Sequence, residues 1–236
     1  MDTDNQRAEI AHLIPIDNPA KPVPWEKFFN PDQPLELEIG CGNGRFLATR
    51  AQRNPDIGYL GIERLLGRVR KLDRKATRLD LDNLRILRLE ALYSLHYLIP
   101  YHRLRTVYVF FPDPWPKRHH HLHRLFSPLF LNALWAKLEI GGTIQIATDH
   151  LQYFEEIKSR FAEDPRFAPI PAMTRDTEEQ TDFEQRFLSL GLPIWNCAYQ
   201  SLPSDDIQLT PITIPPEMEP RDIPRDIDTY CHQTMV

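Results

Sequence analysis

The 236-residue sequence predicts an α/β protein built on a doubly wound, mostly parallel sheet with helices on both faces. Three observations predict it. Short apolar runs alternate with longer segments of helical period, which is the βαβ pattern. The first of these runs ends in a glycine-rich turn that opens a helix, where doubly wound sheets place their ligand loops. The prolines, 22 in all, gather at the ends of the chain, six in the first 34 residues and six in the last 36, and so read as irregular arms around an ordered middle. The expected organisation is a Pro-rich arm over 1–34, a folded domain over 35–202 and an acidic Pro-rich tail over 203–236.

LELEIG at 35–40 and IGYLGI at 57–62 have the length and apolar content of strands, and a helix over 44–53 joins them. The helix expected over 65–80 is the most informative. Leu65, Val69, Leu72, Ala76 and Leu79 recur at spacings of 4, 3, 4 and 3, one stripe able to pack on the sheet. Arg64, Arg68, Lys71, Lys75 and Arg78 repeat that spacing one residue earlier, with Arg70 and Arg74 on the remaining face, so seven bases stand against the single acid Asp73. LRIL at 84–87, TVYVFF at 106–111, TIQIA at 143–147 and WNCAYQ at 195–200 supply further strands, and helices are expected over 122–138 and 150–162. Thr181-x-x-Glu184 is a capping box whose helix, DFEQRFLSL, stops before Gly191 and Pro193.

Composition narrows the class. With 42% hydrophobic and 26% charged residues the chain is an ordinary globular protein. No apolar run approaches the ~20 residues a bilayer needs, and the N-terminus lacks the basic and apolar segments of a signal peptide, so no membrane partner and a cytoplasmic location are expected. Cys41, Cys197 and Cys231 form no CxxC pair and read as reduced thiols. The net charge is −5, yet from Ser201 onward seven acids face two bases, so the tail alone carries that balance and the rest is free to present a basic face.

Chemistry concentrates after the strands. Glu38, Gly40, Gly42 and Gly44 lie at the first strand-to-helix turn, where glycines let backbone approach a ligand. A dinucleotide fold would want G-x-G-x-x-G; here the third position is Arg45, and G-x-G-x-G preceded by an acid suits S-adenosylmethionine. Glu63, Glu90, Asp113 and Asp149 each follow a later strand, so a parallel sheet gathers five acids at one edge. Acids packed together call for a cationic, donor-rich partner, and S-adenosylmethionine offers a sulfonium, an ammonium, a ribose diol and an adenine amine. In FFPDPWPKRHHHLHRL, residues 110–125, three prolines fix the backbone around Asp113 and Trp115, an acid beside a stacking face suited to a flat heterocycle. Lys117, Arg118, Arg124 and His119, His120, His121 and His123 then offer charge for phosphate. With no HExxH pattern and no carboxylate at ligand spacing, no metal is expected.

The motifs LEIGCGNG, GIE ending at Glu63, Glu90-Ala91, FPDPWPKRHH, ATD ending at Asp149 and TDFE at 181–184, in that order, resemble those of the bacterial tRNA (guanine-N7-)-methyltransferases, class I S-adenosylmethionine-dependent enzymes. The resemblance implies a seven-stranded, Rossmann-like sheet. It implies that Glu38, Gly40, Gly42, Gly44, Glu63, Glu90 and Asp113 bind S-adenosyl-L-methionine, and that Asp113 is also catalytic. It further implies that Lys117, Asp149, Thr181 and Glu184 meet the tRNA, with the guanosine at position 46 of the variable loop as target. Glu90 stands where the family more often has Asp or Asn, and histidines replace several bases after PWPK. For Thr181 and Glu184 the capping box remains a second reading. Two other functions compete: a class I methyltransferase for a small molecule or protein, and a non-catalytic RNA-binding subunit of the same fold. No obligate protein partner is evident.

Overall fold

The computed structural model describes residues 10–16, 18, 21–115, 117 and 124–204. The expected tail over 203–236 apart from its first two residues, together with Arg118 and the four histidines, lies outside the described residues. Seven strands form one sheet in the order β3-β2-β1-β4-β5-β7-β6. They are β1 (Leu35–Ile39), β2 (Gly58–Ile62), β3 (Leu84–Leu87), β4 (Leu104–Phe110), β5 (Leu138–Thr148), β6 (Phe167–Ile170) and β7 (Trp195–Ser201). The first five pair in parallel, whereas β7 runs antiparallel to both β5 and β6. The reversal of strand order between β1 and β4 leaves a crevice at their C-terminal ends, where the connections depart to opposite faces.

The helices are α1 (Arg45–Arg53), α2 (Leu66–Arg78), α3 (Ala91–Tyr93), α4 (Pro128–Lys137), α5 (Leu151–Ala162) and α6 (Asp182–Ser189). Alternation along the strands divides the interior. Leu35, Leu37 and Ile39 of β1 join Phe130, Tyr153 and Ile157 of α4 and α5 in the larger core. On the other face, Leu47, Ala48, Val69, Leu72 and Ala76 of α1 and α2 pack over Tyr59 and Ile86. Val69, Leu72 and Ala76 of the α2 stripe are fully buried, but Leu65 is 52% exposed because the chain is still extended there, ahead of the helix.

Three elements depart from expectation. Strand β6 carries no sequence signal beyond its four residues, FAPI, and exists because β7 offers it an edge. The helix expected over 122–138 starts only at Pro128, with Ser127 as cap accepting from the Phe130 N–H at 3.2 Å. Proline suits the first helical position and breaks an interior, so Ser-Pro marks the start. The described part of the N-terminal arm is packed on the domain rather than detached: Ile14, Val23 and Phe29 are buried in the larger core. Ile14 donates to the Ile86 carbonyl at 2.9 Å, and Ile86 donates to His12 at 2.8 Å, extending the β3 edge. Asp73, the one acid of α2, accepts from the His12 backbone N–H at 3.0 Å and lies 2.9 Å from its Nδ1. No helix among the described residues is long and apolar enough to cross a membrane.

Candidate active site

The turn after β1 is shaped by three left-handed glycines, Gly40, Gly42 and Gly44, with φ of +72°, +55° and +67°. They serve two purposes. A Cβ on Gly44 would stand 2.1 Å from Leu72 Cδ1, so this glycine lets α2 close on the start of α1. A Cβ on Gly40 would meet nothing within 4 Å, and one on Gly42 only the Gly40 carbonyl at 3.9 Å. These two open a cradle over the sheet edge that a ligand can occupy at backbone distance.

Two acids of β1 show what that cradle lacks. Glu36 and Glu38 project to the same face and both are buried. Glu36 is satisfied: Tyr108 donates to it at 2.7 Å, Arg50 at 3.5 Å, and Arg105 contacts its other oxygen. Glu38, two residues nearer the crevice, has a buried Oε2 with no partner among the described residues. Burial raises its carboxyl to about 8, against the opposing charges of Lys75 and Arg175. An orphaned buried oxygen costs free energy unless something arrives to meet it.

Glu63, at the end of β2, accepts from the Gly42 N–H at 3.1 Å and the Leu65 N–H at 2.8 Å and lies 3.6 Å from Arg68, so it locks the glycine turn to the start of α2. Glu90, after β3, is used differently. Its Oε2 accepts from the Tyr93 N–H at 2.8 Å, so one oxygen caps α3. Asp113, Lys117 and Asp149 are exposed, and none has a hydrogen-bond or ion-pair partner among the described residues. Asp113 lies between two non-glycine residues in left-handed conformation, Phe111 at φ +55° and Trp115 at φ +43°. Such residues are strained, and a run that holds two of them is fixed by its surroundings.

Helix α6 closes the crevice. Thr181 accepts from the Glu184 N–H at 3.0 Å, so the capping half of the expected motif is formed. Asp182 accepts from Asn43 of the glycine turn at 3.2 Å, and Phe183 and Phe187 lie 6.4 and 5.4 Å from the Phe111 ring. The helix therefore spans from the β1 turn to the β4 turn. Both oxygens of buried Glu184 accept from Arg175 at 2.8 Å, and Arg175 rests 4.3 Å above the Phe110 ring. Arg53 pairs with Asp176 at 2.7 Å and Arg50 with Glu179 at 3.3 Å, which ties the incoming loop to α1. The latch was invisible in the sequence because its partners lie more than 120 residues apart, and Arg175, although only nine residues from Glu184, stands in a loop without a motif of its own.

Arg124 requires a correction. Grouped by sequence with the phosphate-binding bases, it is only 5% exposed and engaged by Glu156 and the Pro114 carbonyl, so it is not available to a polyanion. On α2, by contrast, Arg70, Lys71, Arg74 and Arg78 are exposed, as is Arg64 just before it. No acid pairs with them among the described residues, and there too no cluster of metal-ligating side chains is found.

A methyltransferase family model, Methyltransf_4, matches residues 32–197. A Thermotoga maritima protein named tRNA (guanine-N(7)-)-methyltransferase is 35% identical over 182 residues, 76% of this chain; the chain spans 58% of that relative's length. A Nitrosococcus oceani protein of the same name is 33% identical over 202 residues, covering 84% of this chain and 86% of the relative. Among solved structures, the 16S rRNA methyltransferase KamB superposes with a TM-score of 0.58 at 19% identity, over 76% of this chain and 93% of that one, a likeness of fold.

Proposed function

The chain belongs to the tRNA (guanine-N7-)-methyltransferase family, and on that footing we propose that it transfers a methyl group from S-adenosyl-L-methionine to N7 of a guanosine in tRNA, at position 46 of the variable loop. The observation that carries the reading is the contrast on β1. Glu36 is fully paired, whereas Glu38 keeps a buried, unpartnered oxygen beside a backbone cradle left open by Gly40 and Gly42. A cationic ligand that reaches backbone closely fits both.

S-adenosylmethionine, when bound, supplies a methyl on a cationic sulfur. Glu38 would meet the positive pole of the ligand and Glu63 its hydroxyl donors, while Gly40 and Gly42 admit it to the edge. Glu90 takes part with the oxygen that its cap leaves free. Guanine N7 carries an in-plane lone pair and no proton, so no side chain has to remove one. Catalysis then rests on alignment and on the field around the base. Asp113, fixed between two left-handed residues, would hold the donor edge of guanine and counter the positive charge that develops in the ring. Trp115 offers the stacking wall for a base drawn out of its stack. Lys117, Asp149 and Thr181 would line the RNA side of the crevice, and Glu184 would join them through the lone pairs that Arg175 leaves. The exposed bases of α2 suit the tRNA backbone. A tRNA substrate supports the expected cytoplasmic location.

The test is incubation with unmodified total tRNA and methyl-labelled S-adenosylmethionine, followed by nucleoside analysis. Label is expected in 7-methylguanosine, and it should vanish from a transcript with adenosine at position 46. Label in another nucleoside, or in none, would refute the assignment.

A further inference from the structure

We propose that Arg124 is a positioning residue for methyl transfer, a buried brace that fixes the carboxylate of Asp113 by holding the backbone of the residue after it. Its Nε donates to the Pro114 carbonyl at 2.8 Å, Nη1 contacts Glu156 of α5, and Cζ lies 4.9 Å over the Tyr153 ring. Burying a guanidinium is costly unless its charge and donors are met. Glu156 and Tyr153 alone answer the charge but not the donors: Nη2 has no hydrogen-bond partner among the described residues, and Nη1 is the one nitrogen that meets Glu156. The third contact goes to the segment that carries Asp113.

That segment needs holding. Phe111 and Trp115 are both left-handed, a conformation that a non-glycine residue leaves when its surroundings allow. Upstream, the Phe111 N–H donates to the Ala147 carbonyl at 2.7 Å and its ring meets Phe187 of α6, so this end is tied to β5 and α6. Downstream, Arg124 holds Pro114 and is itself anchored on α5, the helix that begins two residues after Asp149. The brace therefore sets the turn after β4 against the turn after β5. Asp113 makes no hydrogen bond or ion pair of its own among the described residues, so its position is inherited from this backbone.

The inference rests on Asp113 acting beside the reacting base, and the experiment separates the two ideas. Single-turnover methyl transfer would be measured at saturating cofactor and tRNA for the native protein, Arg124→Gln, Asp113→Ala and the double variant, with S-adenosylmethionine affinity measured for each. Arg124→Gln should lose about 10 to 100-fold in rate, the scale of a misplaced reacting group, while cofactor affinity stays within about twofold because Glu38 and Glu63 lie on other strands. In the Asp113→Ala background the same change should cost less than about threefold, since residues acting as a unit are not additive. An equal loss in both backgrounds, or a native rate in Arg124→Gln, would overturn the brace. A native rate in Asp113→Ala would refute the role of Asp113 itself. Should Arg124→Gln not fold, Glu156→Gln takes its place in the cycle: its side chain is 28% exposed, and glutamine keeps a carbonyl oxygen to accept from Nη1. It should slow transfer about 3 to 10-fold, again only when Asp113 is present, and an unaltered rate would overturn the proposal.

Discussion

Cofactor binding should release a proton, and Glu38 should be its source. With the free carboxyl raised to about 8 by burial, only ~1% of Glu38 is ionised at pH 6.0 and ~24% at pH 7.5. A cationic ligand selects the ionised form, so apparent affinity should climb roughly 15-fold over that interval, the gain in ionised Glu38 being trimmed by the ligand's own amine, which with a pKa of ~7.7 to 8.0 is about one-third deprotonated at pH 7.5. At pH 7.0 about 0.9 proton should leave on binding. The same group bears on stability. A carboxyl raised on folding contributes stability that is complete below its unfolded value near 4.5 and is lost as pH rises through about 8. At ~1.4 kcal/mol for each tenfold change in proton affinity, the loss approaches roughly 5 kcal/mol as an upper bound. Titration calorimetry in two buffers of different ionisation enthalpy measures the released proton, and melting between pH 5 and 8.5 measures the second effect. Glu38→Gln should flatten both profiles and weaken binding at pH 7.5. Equal affinity at pH 6.0 and 7.5 in the native protein, with no proton release, would refute the reasoning.

Glu63→Ala should weaken S-adenosylmethionine binding by about 10 to 150-fold, the worth of a charge-assisted hydrogen bond, with tRNA affinity little changed; parallel calorimetry and filter binding would show it. Gly44→Ala should lower the melting temperature sharply, since its Cβ would meet Leu72 at 2.1 Å. Gly40→Ala meets no atom, so beyond the ~1 to 2 kcal/mol that any left-handed alanine costs it should be felt mainly as lost cofactor affinity; equal melting losses for the two would contradict the division of labour in the turn. If α2 faces the RNA backbone, changing Arg70 and Arg74 to Gln should reduce the slope of log affinity against log salt by roughly 1.4 to 1.8. An unchanged slope would place the RNA elsewhere.

Much of the architecture was legible because its signals are local. The apolar runs of β1 to β5, the α2 stripe and the glycine turn are each written within about fifteen consecutive residues, and parallel βαβ connection alone then collects Glu38, Glu63, Glu90, Asp113 and Asp149 at one edge. Strand β6 was not legible, because four residues without alternation become a strand only when β7 presents its edge. The late start of α4 was readable from Ser127 and Pro128, although the apolar periodicity suggested a longer helix.

What the sequence by itself determined is the kind of site: residue types, their strand-end placement and the rigid proline segment around Asp113. Only the tertiary structure decided what each charge does there. Glu36 and Glu38 are equivalent in an alternating strand, yet Tyr108 and the arginines near one leave the other's oxygen unmet. Arg124 reads as one more base in a basic run, yet it is buried against Glu156. Asp73 is an odd acid on a cationic helix until His12 arrives from the N-terminal arm. The physical reason is common to all three: an ionisable group's role is set by burial and by partners, and those partners are brought by chain closure from 32 to 72 residues away.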